Sequence, residues 1–171
     1  MQTPQTIALI GTRALGAGIA GGLVNERDKL LLFDCDAEKA GLLEAALLAA
    51  YPGCLVEAIK CSHTGVWEAD IIILNASCAE LQGLADTIRE VANQKLLIVI
   101  DADVLYIRQL FPNSKVVQAF STIRTADFES AAAMRMEIDC PLTGTDEEAV
   151  RVTEALIRAI GFKPVRMPAT N

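Results

Sequence analysis

The sequence predicts an α/β fold of three layers, a doubly wound and mostly parallel sheet with helices on both faces. Three observations carry that expectation. Short apolar runs alternate with amphipathic stretches from one end of the 171 residues to the other. Several of the runs are apolar without a break, as strands buried on both faces are. The first run passes directly into a glycine-bearing turn and then into a helical pattern.

In chain order, Thr6–Ile10 reads as the first strand. Leu15–Asn25 follows as a helix whose neighbourhood is rich in small residues (Ala14, Ala17, Gly18, Ala20, Gly21, Gly22), expected to hold it tightly against the sheet. Leu30–Asp34 is the second strand, and Asp36 is placed to cap the helix Ala37–Ala50. Cys54–Ile59 and Asp70–Asn75 are strands joined by a loop, and Ala79–Ala92 is a helix leading to the strand Leu96–Asp101. Asp101 and Asp103 then stand where the next helix needs a cap. Lys115–Ala119 is the sixth strand, and Ser121–Met136 reads as a loop plus a helix over Phe128–Met136. The strand Glu137–Leu142, the helix Asp146–Ile160 with Gly161 at its C-terminal turn, and the strand Pro164–Met167 complete the series. Strand–helix–strand repetition implies right-handed crossovers. No Pro/Gly/Ser linker, internal repeat or low-complexity tract divides the chain, so residues 1–171 are expected to form a single domain without a separate substrate domain.

Hydrophobic residues make up 52% and charged residues 22%, a composition that buries a core. Aromatics are only 5%, so Leu, Ile, Val and Ala must build that core. A formal net charge of −7 with no basic run argues against a nucleic acid or an anionic membrane as partner. Cys35, Cys54, Cys61, Cys78 and Cys140 are scattered and odd in number, and His63 is the only histidine. No metal site is expected from ligands so dispersed, and the cysteines read as reduced thiols of a cytoplasmic protein. Met1 to Gln5 carry no basic flank, so no signal peptide is expected, and no apolar run reaches the length of a membrane span.

The glycine turn reads Gly11, Thr12, Arg13, Ala14, Leu15, Gly16. Between a strand and a helix this is a Rossmann-type G-x-G-x-x-G with its first and third glycines in place and Arg13 at the second. A P-loop needs Lys and Ser/Thr after the last glycine, where Ala17 and Gly18 stand, so a nucleoside triphosphatase is excluded. Asp34 ends the second strand about 20 residues beyond the loop, where an acid takes the adenosine ribose hydroxyls. A 2′-phosphate about 4 Å from that carboxylate would meet roughly 4 kcal/mol of repulsion. No cation adjoins Asp34, although Lys39 begins the following turn, so NAD is expected rather than NADP. Arg13 leaves two readings open. Its guanidinium can clamp the diphosphate, or its side chain can fill the space the nucleotide needs.

Together these segments resemble the N-terminal domain of the deazaflavin (coenzyme F420)-dependent NADP oxidoreductase family, itself similar to pyrroline-5-carboxylate reductase. The resemblance rests on Ile10 to Thr12, Ala69 to Leu74, Ile98 to Ala102, Val116 to Ile123, Gly144 to Ala149 and Ile160 to Val165. It implies nucleotide contacts at Gly11, Thr12, Arg13, Ala14, Leu15, Asp34, Asn75, Ala76 and Ser77, and hydride transfer between nicotinamide and a second cofactor or substrate. Departures from the family pattern are Arg13 for the second glycine, Asn75-Ala76-Ser77 for Ala-Val-Pro, Ser121 for an Asn, and Asp103-Val104 for Asn-Pro. The basic residues that would accept a 2′-phosphate are missing at Asp34 and Cys35, and Asn171 stands about where a helical substrate domain would begin.

Ser121 and Thr122 follow the sixth strand, where ligands gather at the carboxyl ends of a parallel sheet, and are the candidate substrate contacts. His63, on a loop, is either a general base or simply solvated. Tyr106 and Tyr51 are followed four places on by Leu110 and Leu55, which excludes a Tyr-x-x-x-Lys reductase. Hydride transfer needs positioning and no protein nucleophile, so no catalytic residue is assigned. The expected function is that of an NAD(P)-binding oxidoreductase-like protein. The competing class is a non-catalytic Rossmann module that has lost its dinucleotide. The segment Phe128–Met136 offers an apolar face either to a second copy, giving a homodimer, or to the chain's own sheet.

Overall fold

Burial on both faces is what makes the strands. The computed structural model describes residues 3–25, 27–134 and 138–169. In it the continuous apolar runs become β1 (Thr6–Ile10), β2 (Lys29–Phe33), β4 (Ile71–Leu74), β5 (Leu96–Val99) and β6 (Lys115–Ala119). Their side chains divide with period two between two cores. Ile7, Leu9, Leu30, Leu32, Ile71 and Ile73 face one, whereas Ala8, Ile10, Leu31, Ile72 and Leu74 face the other.

Helices α1 (Ala14–Leu23), α2 (Ala37–Ala50) and α7 (Glu147–Ile160) close the first core through Ile19, Ala20, Leu23, Ala40, Leu47, Val150 and Ile157. Helices α3 (Ser62–Glu68), α4 (Cys78–Ile88) and α5 (Val104–Leu110) close the second through Val66, Leu81, Ala85, Ile88, Ile107 and Leu110. With β3 (Leu55–Ala58), α6 (Thr125–Met134), β7 (Asp139–Gly144) and β8 (Lys163–Arg166), the result is three layers around one eight-stranded sheet of order β3-β2-β1-β4-β5-β6-β7-β8. β1 pairs with both β2 and β4, so successive units leave it in opposite directions, and the crevice at that switch point is where open α/β sheets take ligands.

The expected α/β architecture is therefore present, with differences of detail. The sheet is parallel from β3 to β6, but β7 pairs antiparallel with β6 and β8 runs parallel to β7. The expected loop between β3 and β4 contains α3, which sequence periodicity misses because seven residues give fewer than two full turns of pattern. His63 thus sits, exposed, in a short helix rather than on a loop. Asp36 and Asp103 cap α2 and α5 as expected, accepting from Glu38 N–H and from Leu105 and Tyr106 N–H. Gly161 ends α7 in the left-handed region at φ 106°. Met136 and Glu137, the expected helix end and strand start, lie outside the described residues.

The small residues of α1 serve other helices as well as the sheet. A Cβ on Gly18 would lie 2.6 Å from the Phe128 ring of α6, and one on Gly22 would lie 2.7 Å from Ile160 Cγ2 and 3.2 Å from Ile160 Cα at the end of α7. Phe128 in turn meets Phe162 edge to face at 5.1 Å, so the aromatic ring of the segment proposed for dimerisation packs within its own chain. A Cβ on Gly21 would meet nothing within 4 Å. Opposite effects are therefore expected from two adjacent substitutions. Gly21→Ala stabilises through helix propensity by about 1 kcal/mol. Gly22→Ala forces α1 from α7 and loses about 1–2 kcal/mol net, overpacking outweighing propensity. Urea unfolding of the two variants reads both signs.

Candidate functional site

The site begins with a turn that only glycine fits. β1 ends at Ile10, and Gly11 takes φ +96° with its N–H donating to Phe33 O of β2. A Cβ there would lie 2.3 Å from Asn75 O, at the end of β4. Asn75 Nδ2 donates back to Gly11 O at 3.2 Å, and a Cβ on Gly16 would lie 2.3 Å from that same oxygen. The turn is thus wedged between β4 and the first turn of α1. The start of α1 has no side-chain N-cap bond, leaving its N–H groups and the positive end of its dipole to solvent or to an anion.

Beside the turn, Thr12 donates through both N–H (2.8 Å) and Oγ1–H (2.7 Å) to Asp34 Oδ2, while Asp36 N–H donates to Asp34 Oδ1 at 3.0 Å. Partial burial pushes the Asp34 carboxyl up, but these three bonds, helped by the charge of Lys39, outweigh it and hold the group below the ordinary aspartate value. A carboxylate offers about four lone-pair sites. Three are used, so Oδ1 retains one acceptor position for a ligand hydroxyl.

These residues open on a cleft of about 610 Å³ at the carboxyl ends of β1, β2 and β4. Its floor and β2 side carry Gly11, Phe33, Asp34, Cys35, Asp36 and Lys39. Its far wall is the face of α4 formed by Ala79, Glu80, Gly83, Leu84 and Thr87. The Ser77 hydroxyl above all, with the Ser77 N–H, holds the Glu80 carboxyl below the usual glutamate value, Arg13 adding to this and Asp34 opposing it.

Of the residues expected from sequence, Gly11, Arg13, Asp34, Asn75 and Ala76 line this cleft together. Thr12 is buried behind Asp34, Ser77 is engaged with Glu80, and Ala14 and Leu15 lie in the first turn of α1 outside the lining. Ser121 and Thr122 are exposed at the same carboxyl edge, three strand spacings or about 14 Å from β1. They follow Phe120, a fully buried residue at φ 64°. Sequence reasoning missed Glu80, Gly83, Leu84 and Thr87, although their i, i+3, i+4, i+7 spacing marks one face of a helix. It noted Lys39 without placing it in the cleft. Lys39 Nζ lies 3.5 Å from Asp36 Oδ2.

No protein-family model matches the chain, and no curated protein matches it in sequence. Solved structures match it in fold. A hypothetical protein of Sinorhizobium meliloti is 21% identical with a TM-score of 0.76, over 96% of this chain and 85% of that one. A putative F420-dependent NADP reductase from an Arthrobacter species is 18% identical with a TM-score of 0.76, over the same shares. This is a Rossmann fold. A pyrroline-5-carboxylate reductase of Coxiella burnetii shares it too, at 13% identity and a TM-score of 0.75, over 98% of this chain and 60% of that enzyme. The two families that the sequence segments resemble are thus also similar to it in structure. Among the described residues, no helix is long and apolar enough to cross a membrane, and no group of three or more His, Cys, Asp or Glu is placed to hold a metal ion.

The bonds around Asp34 set a pH dependence. Its lowered pKa contributes stability that is present above the unfolded value and is lost as the pH falls through the folded one. Asp34→Asn should cost about 1–2 kcal/mol at pH 7. The gap between wild type and variant should close as the pH drops below about 4. Denaturant unfolding between pH 7 and pH 2.5 measures it, and a gap that widened on acidification would refute the assignment.

Proposed function

We propose that this Rossmann domain binds a nicotinamide dinucleotide in the cleft and serves hydride transfer to or from a small molecule or second cofactor. The observation that carries this is one cleft holding the Gly11 turn, Arg13 just before the uncapped start of α1, and Asp34 with an acceptor position to spare. Each answers a different part of the ligand. Gly11 permits the tight turn that seats the loop against Asn75, the start of α1 attracts a diphosphate's charge, and Asp34 Oδ1 accepts from a ribose hydroxyl. The nicotinamide supplies the hydride chemistry, and the chain supplies position.

In this reading the ligand runs along the carboxyl edge, from Asp34 over Gly11, Thr12, Arg13, Ala14 and Leu15, past Asn75, Ala76 and Ser77, toward Ser121 and Thr122. Ser121 and Thr122 are the proposed substrate or carboxamide contacts. NAD is the preferred cofactor, because Asp34 and Asp36 both face a 2′-phosphate and Lys39 is already paired with Asp36. A cytoplasmic homodimer belongs to the same proposal. Phe128 is engaged with Phe162 inside its own chain, so the dimer does not rest on that ring.

Calorimetry with NADH and NADPH tests the reading. NADH should bind more tightly, and Asp34→Ser should narrow the difference; equal or reversed affinities would refute the preference. Arg13→Ala should weaken NADH binding about ten- to hundredfold, as loss of a charge-assisted hydrogen bond does. Arg13→Gly should recover part of that loss by readmitting the backbone. A wild type that binds no dinucleotide while Arg13→Gly gains it would establish instead that Arg13 fills the site.

A further inference from the structure

Arg13 already has partners at the cleft. Its Nη2 donates to Asn75 O at 3.1 Å and lies 3.6 Å from Glu80 Oε2. That same Oε2 accepts from Ser77 N–H at 2.8 Å and Ser77 Oγ–H at 2.5 Å, so the carboxylate is held in place on the first turn of α4. One side chain from the glycine turn therefore reaches β4 and α4 across the cleft that Arg13 and Glu80 both line. We propose that Arg13 and Glu80 form a latch over the diphosphate end of the cleft, and that an entering diphosphate replaces Glu80 as the anionic partner of Arg13. The latch rests on the dinucleotide reading above.

Two physical arguments favour exchange over a fixed bridge. The pair is open to water, with 55% of the Arg13 side chain and 46% of the Glu80 side chain exposed, and exposed ion pairs hold weakly. A diphosphate offers the guanidinium two oxygens in bidentate geometry, a stronger partner than one carboxylate oxygen at 3.6 Å. The charge of the cleft points the same way. Among the described residues that line the cleft, Asp34, Asp36 and Glu80 stand against Arg13 and Lys39, so an anionic ligand meets an excess of negative charge that Arg13 offsets locally by turning to it. The bond to Asn75 O keeps the guanidinium at the β4 end meanwhile, which limits the conformational freedom lost on exchange. Glu80 is then a positioning residue that sets the threshold for diphosphate entry.

The test is calorimetric titration of the full chain with NADH, NADPH and adenosine. Glu80→Gln keeps an oxygen acceptor for Ser77 and removes the charge. It should tighten NADH binding about three- to tenfold, the size of an exposed ion pair plus relief of like-charge repulsion. Adenosine, which carries no phosphate, should change less than twofold. In an Arg13→Gln background the gain from Glu80→Gln should shrink markedly, because no latch remains to release. Glu80→Ser provides a second charge-removing variant and should show the same sign. No gain for NADH, an equal gain for adenosine, or a full gain without Arg13 would each overturn the latch while leaving dinucleotide binding standing. Failure of both wild type and Glu80→Gln to bind either dinucleotide would overturn the dinucleotide reading, and the latch with it.

Discussion

The approach of Gly11 to Asn75 is the constraint on which the rest of the site depends. Backbone meets backbone there so closely that a Cβ would lie 2.3 Å from the Asn75 carbonyl oxygen, and the Asn75 amide closes the gap with a bond to Gly11 O. Gly16 presses on the same Gly11 carbonyl from the first turn of α1. β1, the α1 that follows it, and the end of β4, 64 residues on from Gly11, are thereby interlocked at one point. That interlock sets where α1 begins and delivers Arg13 to the end of β4 within reach of α4. An added methyl at Gly11 would meet backbone, which cannot turn away as a side chain can.

A second tie, from Thr12 to Asp34, acts beside the first. Because both the N–H and the hydroxyl of Thr12 hold Oδ2, and Asp36 N–H holds Oδ1, the carboxylate is oriented before any ligand arrives. Such pre-organisation lowers the entropic cost of binding. It also limits what Asp34 can do, since only one acceptor position remains. Replacement of the second glycine by Arg13 is compatible with this arrangement, because the long side chain runs across to Asn75 and Glu80 while the Gly11 turn stays intact.

Much of this was legible in the residues. The strands were visible because a sheet covered on both faces requires apolar side chains at every position, as in Ile71 to Leu74, and few other structures do. Gly11, Gly16 and Asp34 were legible because the turn and the strand end impose residue type at fixed spacing. α3 was not, since Ser62–Glu68 is too short for a period and its Gly65 signals a break, whereas in the fold Gly65 leaves room for Ile59. The direction of β7 was not legible either, because Cys140 and Leu142 face the core whichever way the strand runs.

By itself, then, the sequence determined the three-layered sheet, the order of its elements and the position of the glycine turn, because burial pattern and backbone conformation are local demands on residue type. Tertiary structure alone decided that the α4 face of Glu80, Gly83, Leu84 and Thr87 joins the cleft. Glu80 comes opposite Arg13 only after β4 docks on β1 and α4 folds back over the strand ends. Sequence spacing carries no record of that pairing. A salt bridge between exposed residues demands only charge and reach, and many other positions along the chain meet both.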